Sequence, residues 1–444
     1  MATRSTGWYP DRSVEPAIAA ALPEPTDDPF YKYDPAKLPN KLPGTVLRTR
    51  RIPYHLAGIP TPFKVTQLLY RSTSQTDKPT VNVTSVIQPP NQPDKTKVLS
   101  YQSFYDSLNQ NDEPSYAISG GHPLPALPEL INSAELAVFA PFLADGYTVI
   151  VPDIEGQGAD FAAGPEYGMN TLDSIRAALS SKKVGLPSEA KVAMLGYSGG
   201  ALATEWAAEL APTYAPEVNR RLIGAAMGGL LVHPAHNLHY VDGSRNWAGV
   251  MLMALVGIAR AFEKEKEFRK YLSAKGAKLF DDMQTKSIVH VLAKREYSGL
   301  TWEHLAKPAY PTPESIPLYV ECVNKLIMGT SGNPDEVAKP QIIPLFIGQG
   351  ANGELEGTPG DKPRIGPGDG VMIAGDVRTL ARGYCKRTQV WYEEYKDYSH
   401  ISSLIFWLPH AIAWIKQRFA NDPAPQNCSK IKPGNDLDPI PVPQ

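Results

Sequence analysis

Residues 196–200 read Gly-Tyr-Ser-Gly-Gly, and this stretch decides the fold. A short apolar run, Val192–Leu195, precedes it, and an Ala-rich amphipathic run, Ala201–Leu210, follows it. A strand, a G-x-S-x-G turn and a helix in this order form a nucleophile elbow, a strained turn from which the serine hydroxyl points outwards. The pattern therefore predicts that Ser198 is a nucleophile, and a plain glycine-rich turn is the alternative interpretation.

The residues around the serine have separate uses in such a turn. Gly196 and Gly200 carry no side chains, so neighbouring backbone can pass close to the elbow, and Tyr197 directly precedes the serine. Gly199 opens the following helix, and a backbone N–H at a helix start can face an oxyanion. We therefore expect Gly199 to supply one oxyanion donor.

The composition restricts the class of protein. A chain of 444 residues allows one large domain with an insertion, or two domains. Lys plus Arg is 44 and Asp plus Glu is 46, so the net charge of −2 leaves no overall electrostatic footprint for nucleic acid. No apolar run approaches the roughly 18 residues of a membrane span. We therefore expect neither a nucleic-acid partner nor a membrane span, and the sequence does not indicate an oligomeric state.

Apolar and β-branched runs alternate with helical patterns through most of the chain. Strands are predicted at residues 45–50, 63–72, 80–87, 97–102, 147–152, 191–195, 222–231, 342–348 and 388–395. Helices are predicted at residues 135–143, 171–180, 201–210, 371–384 and 401–418. The alternation over residues 97–210 predicts an α/β fold, with a mostly parallel central sheet and helices on both faces.

Changes of pattern along the chain predict four parts. Residues 1–43 form an irregular arm, either a partly disordered tail or a cover over the sheet, and the core comprises residues 44–232 and 337–420. Residues 233–336 form a helical cap insertion, and residues 421–444 form a Pro-rich tail. Cap helices are predicted at residues 247–261, 264–274, 277–290 and 313–327. The apolar run 250–256 within the cap either offers a surface to lipid or is a buried helix core.

A serine nucleophile needs a base, and histidine is the usual one because its pKa lies near neutrality. In a hydrolase of this kind the acid follows the serine along the chain and the histidine comes last. His400 stands between the last predicted strand and a helix, so we predict that it is the base. His233, His236 and His239 match no closed zinc pattern, and we predict no metal site there.

The acid is expected between the strand that ends at Gly348 and His400. Six carboxylates qualify by position: Glu354, Glu356, Asp361, Asp369, Asp376 and Asp397. Asp369 is preferred because it stands in a loop just before a predicted helix, and Asp361 is second. Asp376 falls inside that helix, and Asp397 is too close to His400 in sequence to reach the far ring nitrogen.

A second oxyanion donor is expected in the loop after an early strand. Residues 103–107 form a polar loop directly after the strand at 97–102, and Asp106 is our candidate for its backbone donor. The alternative is a surface aspartate that caps a turn.

Several features bear on secretion. Three cysteines, Cys322, Cys385 and Cys428, permit one disulfide and leave one thiol. Asn82 and Asn427 stand in N-x-S/T patterns and are candidate glycosylation sites. The sequence begins without a basic segment followed by an apolar one, so either the protein is not exported or its signal is absent here. We expect secretion, with a cytoplasmic location as the alternative.

Six short segments carry a family resemblance: Ser100-Tyr101-Gln102, Tyr105-Asp106-Ser107, Asp153-Ile154-Glu155-Gly156, Leu172-Asp173-Ser174-Ile175-Arg176-Ala177-Ala178, the elbow at 196–200, and Gly224-Ala225-Ala226-Met227-Gly228-Gly229. With them, the chain resembles the fungal secretory lipase family of the yeast lipase A type, within the α/β-hydrolase superfamily. The resemblance covers most of residues 43–420. It implies an α/β-hydrolase core with a helical cap inserted before the acid strand, with Ser198 as nucleophile, His400 as base, and Asp106 and Gly199 as oxyanion donors.

The resemblance also bears on the acid and on the cysteines. Asp369 keeps the family's distance to the Tyr-Cys pair at 384–385, although an insertion at 351–368 separates it from its strand. Where the family often has a cysteine, this chain has Glu113, so a bridge to Cys322 is lost. The resemblance therefore implies a disulfide between Cys385 and Cys428.

The predicted function is hydrolysis of carboxylic esters through an acyl-enzyme on Ser198, with no cofactor or metal. The substrate is expected to be a lipid or a small-metabolite ester such as an acetyl ester, with interfacial contact through the cap. One alternative is acyl transfer to an alcohol by the same triad, in a site that excludes water. The other is a binding protein that keeps the fold without turnover.

Overall fold

A computed structural model describes residues 22–56, 59–91, 93–120, 127–329, 342–360, 362 and 365–443. The strands of this part of the chain form one nine-stranded sheet. They are β1 (Val46–Leu56), β2 (Ile59–Thr73), β3 (Pro79–Gln88), β4 (Asp94–Gln102), β5 (Tyr147–Pro152), β6 (Lys191–Tyr197), β7 (Leu222–Gly228), β8 (Leu345–Gly350) and β9 (Val390–Tyr395). Each lies where the sequence predicts a strand, although the ends differ.

The strands are ordered β1-β2-β3-β5-β4-β6-β7-β8-β9. β1, β2, β3 and β5 pair antiparallel, and every pairing from β5 through β4 to β9 is parallel. All six residues of β5 are buried, as expected of a parallel strand covered on both faces. The carboxyl ends of β6, β7 and β8 therefore meet at one edge of the sheet.

Fourteen helices are found among the described residues. They are α1 (Pro114–Ser119), α2 (Leu127–Ala144), α3 (Gly164–Ser180), α4 (Gly199–Tyr214), α5 (Pro216–Asn219), α6 (Pro234–Val241), α7 (Ala248–Ala261), α8 (Glu265–Arg269), α9 (Ala274–Met283), α10 (Ile288–Ala293), α11 (Trp302–Leu305), α12 (Pro317–Asn324), α13 (Ala374–Tyr384) and α14 (His400–Phe419). Ile175 of α3 and Trp206 of α4 belong to the core on one face of the sheet. Phe142 of α2 and Trp414 of α14 belong to the core on the other face. The predicted α/β architecture is confirmed.

Helices α6 to α12 lie between β7 and β8 and share a separate apolar core. The helices predicted at 264–274 and 277–290 are wrong as continuous elements. The side chain of Ser273 accepts a hydrogen bond from the Gly276 N–H, and that of Ser287 accepts one from the His290 N–H. Each serine is thus an N-cap that begins a new helix inside a stretch with unbroken helical periodicity. The helix predicted at 313–327 is shorter, because α12 begins at Pro317.

The apolar run 250–256 lies on α7, and its position decides between the two interpretations given above. Met251, Leu252, Met253, Leu255 and Val256 are all buried. The run is therefore part of the core of this helical layer, and it does not form an exposed surface for lipid.

The ends of the described chain pack against the sheet and its helices. In the arm, Asp28 forms an ion pair with Arg50 of β1, and the Tyr31 hydroxyl lies 2.8 Å from the Ser115 hydroxyl. Residues 1–21 of the predicted arm lie outside the described residues. In the tail, the Asn324 side chain exchanges two hydrogen bonds of 2.8 and 2.9 Å with the backbone of Ile440. Both terminal segments therefore cover the surface of the molecule.

The sequence patterns linked to secretion have different outcomes. The disulfide between Cys385 and Cys428 is present, and Cys322 is a buried free thiol. Asn82 is wrong as a glycosylation site, because it is fully buried in β3 and its amide donates to the Tyr70 hydroxyl and the Asp153 carbonyl. Glycosylation at Asn427 stays a prediction, although both ends of its half-buried amide bind the backbone of Tyr392.

We predict that the disulfide contributes measurably to stability, because it closes a loop across a sequence separation of 43 residues. Replacing both cysteines, Cys385→Ser with Cys428→Ser, should lower the free energy of unfolding by about 2–4 kcal/mol. Urea unfolding of the two proteins measures the difference. A reducing agent should destabilise the wild type and leave the variant unchanged, and equal stability of both proteins without reductant would contradict the prediction.

Candidate active site

Ser198 stands at the turn between β6 and α4 with φ +54° and ψ −122°. Its N–H donates to the Gly228 carbonyl of β7 at 2.8 Å, and its carbonyl accepts from the Leu202 N–H at 3.0 Å. A Cβ at Gly196 would overlap the carbonyl of Gly200, and a Cβ at Gly200 would overlap that of Gln102. The turn thus has the strained, closely packed geometry that the sequence pattern predicts.

The His400 side chain contacts Ser198 at the carboxyl edge of the sheet. Ser198 precedes α4 on one face of the sheet, and His400 begins α14 on the other face. Its Nε2 lies 2.8 Å from the Ser198 hydroxyl oxygen, and its Nδ1 lies 2.8 Å from Oδ2 of Asp369. His400 is the first residue of α14, which begins one residue before the helix predicted at 401–418. This position fixes its backbone, and the His400 N–H donates to the Asp369 carbonyl at 2.7 Å.

Asp369 is fully buried and accepts hydrogen bonds at both carboxylate oxygens. Oδ1 accepts from the N–H groups of Val371 and Met372 at 3.1 and 2.7 Å. Oδ2 accepts from Gln349 Nε2 at 2.9 Å in addition to His400. These donors compensate for burial of the charge and hold the carboxylate in one orientation.

The other candidate acids lie elsewhere. Asp376 pairs with His236, with 3.0 Å between Oδ2 and Nδ1, and Asp397 is exposed. Glu354 is exposed as well, while Asp361 lies outside the described residues. Among the described candidates, only Asp369 reaches the His400 ring by a hydrogen bond.

The charge around His400 determines when its ring is protonated. Burial of the ring disfavours the imidazolium, but the charge and hydrogen bond of Asp369, with smaller effects from Glu356 and Asp106, outweigh burial. The pKa of His400 therefore lies above its ordinary value of 6.5. With the remaining proton on Nδ1, the neutral ring leaves Nε2 free to accept the serine proton.

Asp106 lies beside the elbow with φ +37°. It is buried, so the alternative of a surface aspartate is wrong. Its carbonyl accepts from the Ile288 N–H of α10 at 2.9 Å, and the next N–H, that of Ser107, donates to the Glu155 carboxylate at 3.1 Å. A Cβ at Gly199 would overlap Oδ1 of Asp106, which shows how closely these two residues approach. Burial raises the pKa of the Asp106 carboxyl to about 7.

Glu356 has a role that the sequence did not indicate. Its Oε1 accepts from the Ile401 N–H at the start of α14 at 2.8 Å, and its Oε2 accepts from Trp247 Nε1 at 3.0 Å. The Trp247 ring in turn meets the His400 ring edge to face, with 5.4 Å between ring centroids. One carboxylate therefore joins α14, whose first residue is His400, to the helical layer, across sequence separations that no local pattern reveals.

Two neighbouring apolar cavities lie near the serine. The first is lined by Ser198, Gly199, Asp106 and Trp247. The second lies between α6, α7 and α12. Both are lined by the same six residues at their junction: Phe161, Ala162, Leu231, Val250, Val371 and Met372. The two cavities are therefore adjacent to each other, and the serine lines one of them.

His233, His236 and His239 do not converge on one common partner. His233 and His236 stack with 3.8 Å between ring centroids, and His239 Nε2 lies 2.7 Å from a Glu314 carboxylate oxygen. Burial lowers the pKa of His233 to about 4. No group of three or more histidine, cysteine or carboxylate side chains suited to a metal ion is found in the described part of the chain.

Known proteins share both the sequence pattern and the architecture. A family model described as secretory lipase matches residues 124–354. Lipase 1 of Candida albicans is 34% identical over 93% of this chain and 85% of its own length. The chain belongs to the secretory lipase family. The resemblance stated from its motifs is confirmed.

Solved structures and further relatives agree with this assignment. Candida antarctica lipase A in its closed state matches with a TM-score of 0.78 and 27% identity, over 96% of this chain and 92% of that chain. A protein named secreted triacylglycerol lipase, from Malassezia furfur, is 38% identical over 59% of this chain and 55% of its own length. The enzyme is a carboxylic ester hydrolase with the α/β-hydrolase fold.

Family membership also bears on substrate and location. The secretory lipase family implies a lipid ester substrate and suggests secretion. A helix long and apolar enough to span a bilayer does not occur among the described residues.

We predict that activity depends on pH through His400, which must be neutral to act as a base. Because the pKa of His400 is raised, kcat/KM should fall as the pH drops, with a midpoint above 6.5. Glu356→Gln removes a negative charge that favours the imidazolium, so the midpoint should move to lower pH. Above both midpoints, kcat/KM should change by less than about tenfold, since His400 keeps its Asp369 partner. Profiles of kcat/KM against pH measure both effects.

Glu354→Gln is the matched control, since this exposed carboxylate lies in the same short helical turn, 353–356. It should leave the midpoint unchanged. An unmoved midpoint in Glu356→Gln, or an equal movement in both variants, would contradict the electrostatic role of Glu356.

Proposed function

We propose that this enzyme hydrolyses long-chain lipid esters through a triad of Ser198, His400 and Asp369. The observation that carries the proposal is the pair of 2.8 Å contacts that joins the serine hydroxyl, the imidazole and the buried carboxylate in one line. Each residue has the chemistry its position requires: a hydroxyl at a strained turn, a ring with a free nitrogen, and a carboxylate that fixes the tautomer.

In the proposed reaction, the Ser198 oxygen attacks the ester carbonyl carbon while its proton passes to His400 Nε2. The negative oxygen of the tetrahedral intermediate accepts hydrogen bonds from the N–H groups of Asp106 and Gly199, each worth about 3 kcal/mol. The C–O bond to the alcohol breaks, and the alcohol oxygen takes the proton from Nε2. Water then attacks the acyl carbon and gives its proton to Nε2. The C–O bond to Ser198 breaks, the serine oxygen takes the proton back from Nε2, and the fatty acid leaves.

The two adjacent apolar cavities support a long acyl chain as the part of the substrate next to the carbonyl. The cavity that Ser198 does not line has Ala254, Ile258, Tyr319 and Val323 in its wall, in addition to the six residues that both cavities share. An acyl chain in this space would be removed from water, at roughly 0.8 kcal/mol per methylene. Together with the name of the Malassezia relative, this supports triacylglycerols as substrates.

The domain division is part of the proposal. We propose residues 44–232 and 337–420 as the catalytic core, residues 233–336 as a helical cap that contributes to the acyl cavity, 1–43 as an N-terminal arm and 421–444 as a Pro-rich C-terminal tail. The position of α6–α12 between β7 and β8, with a separate apolar core, supports this division. We also propose that the enzyme is exported, which a disulfide favours since such bonds persist in oxidising compartments.

We predict a chain-length effect from filling the cavity that Ser198 does not line. Ala254→Phe places a ring in the space proposed for the distal acyl chain, so kcat/KM for p-nitrophenyl palmitate should fall at least about tenfold. For the acetate and butyrate esters it should change by less than about threefold, because short chains do not reach the ring. Initial rates over the ester series, below each solubility limit, measure this.

Ala137→Phe, on an exposed position of α2, is the matched control and should leave the series unchanged. Ser198→Ala should lose activity on every ester by at least about four orders of magnitude. Residual turnover near the wild-type rate in Ser198→Ala would refute the triad. An Ala254→Phe variant that loses all chain lengths equally would refute the acyl cavity.

A further inference from the structure

Large apolar side chains that face water are few in the described structure, and they are not scattered evenly. Seven are exposed: Leu42, Leu292, Leu355, Ile401, Ile405, Phe406 and Val442. Four of these seven lie in two segments that touch each other. These four, Leu355, Ile401, Ile405 and Phe406, are called the α14 patch below.

The α14 patch is built on the first two turns of α14. Ile401 and Ile405 are four residues apart, and residues i and i+4 share one face of a helix. They are 58% and 66% exposed, and Phe406 beside them is 45% exposed. Residues 401–408 contain no charged side chain. The outer face of this segment is thus apolar over two helical turns.

The opposite face of the same segment is fixed in the core. Trp407 is buried and lies 5.4 Å from Tyr197 and 6.1 Å from Phe346, measured between ring centroids. Exposure of the α14 patch therefore does not reflect a loosely packed helix. It is the side of a well-anchored helix that the described chain leaves largely exposed, although the Tyr398 ring packs on Phe406 with 4.1 Å between ring centroids.

Leu355 is joined to this face by its neighbour. Glu356 accepts the hydrogen bond from the Ile401 N–H at 2.8 Å, which brings the turn at 353–356 against the start of α14. The Leu355 side chain, 61% exposed, extends the apolar area across this junction. The patch thus spans two segments that both hold His400 in place.

The position of the α14 patch beside His400 indicates which kind of surface contacts the patch. Ile401 directly follows His400, so the apolar area borders the site where the ester must react. The family implies lipid esters, which gather at a lipid–water interface. The apolar run of α7 is buried, so it offers no outer surface to this interface.

We propose that the α14 patch docks the enzyme onto the lipid–water interface of its substrate and sets the active-site edge of the sheet against it. The inference rests on the proposed function for its substrate class. It assigns the interfacial contact to the base-bearing helix of the core and the adjacent turn, in place of the cap. Transfer of these side chains from water into an acyl layer is favourable in proportion to the apolar area removed from water.

The test uses a double variant of the patch, in which Ile405→Ser and Phe406→Ser are combined. It is compared with a control double variant that combines Leu42→Ser and Val442→Ser. The control removes the same number of exposed apolar side chains from segments outside α14 and the turn at 353–356. Binding to phosphatidylcholine vesicles that contain triolein is measured by flotation in the Ser198→Ala background, so that lipid is not consumed. Turnover is measured separately on a triolein emulsion and on dissolved p-nitrophenyl acetate, with wild-type and variant proteins that keep Ser198.

The patch variant should bind vesicles at least about tenfold more weakly and lose emulsion activity to a similar extent. Its kcat/KM for dissolved p-nitrophenyl acetate should stay within about twofold, since neither side chain lines the cavities. The control should behave as the wild type. A single variant, Ile405→Asp, should show the same separation and tests the proposal independently if the double variant folds poorly.

Vesicle binding that is unchanged in the patch variants, or lost equally in the control, would overturn the proposal. So would sedimentation that shows a wild-type dimer and a monomeric patch variant, because the patch would then join two copies of the chain. A wild type inactive on every ester would contradict the proposed function, whereas vesicle binding would still report on the patch.

Discussion

The backbone of Ser198 is held at a positive φ of +54°, and the rest of the site depends on this turn. A residue with a side chain in such a conformation costs about 1–3 kcal/mol and persists only where its surroundings over-determine it. Here the buried sheet does so: the N–H of Ser198 is bound to β7 at Gly228, and helix α4 begins at once behind it. At the neighbouring Gly196 and Gly200, the surrounding backbone leaves no room for a side chain. The central strands therefore hold the strained turn in place, and the turn directs the Ser198 hydroxyl towards the sheet edge.

The helical layer between β7 and β8 is part of the site and not merely a cover. The Ile288 N–H holds the carbonyl of Asp106, and Trp247 holds the carboxylate of Glu356. Both contacts reach groups next to the proposed chemistry, one at the oxyanion loop and one at the start of α14. A displacement of this layer would therefore move Asp106, a proposed oxyanion donor, and change the charge near His400 at the same time.

The sequence predicted the sheet well because its strands are short apolar runs bounded by turns, as in residues 147–152. It also predicted where Ser198, His400 and Asp369 stand, because the elbow has a local signature and the order of the three along the chain restricts the choice. It failed where a decision depends on distant contacts. The burial of Asn82 and Asp106 depends on neighbours far along the chain, and a motif carries no information about them.

Local competition explains the other errors. Ser273 and Ser287 interrupt helices whose periodicity is otherwise continuous, because their side chains offer the backbone an alternative partner. The exposed face of α14 is a similar case: the pattern predicts a helix, but only packing of Trp407 decides which side meets water.

The central claim, that the hydroxyl of Ser198 is the group that attacks the ester, has a direct chemical test. After treatment with an alkyl fluorophosphonate, tandem mass spectrometry should find one phosphonyl group per chain, on Ser198. A label on a different residue, or a folded protein that takes no label, would contradict the account.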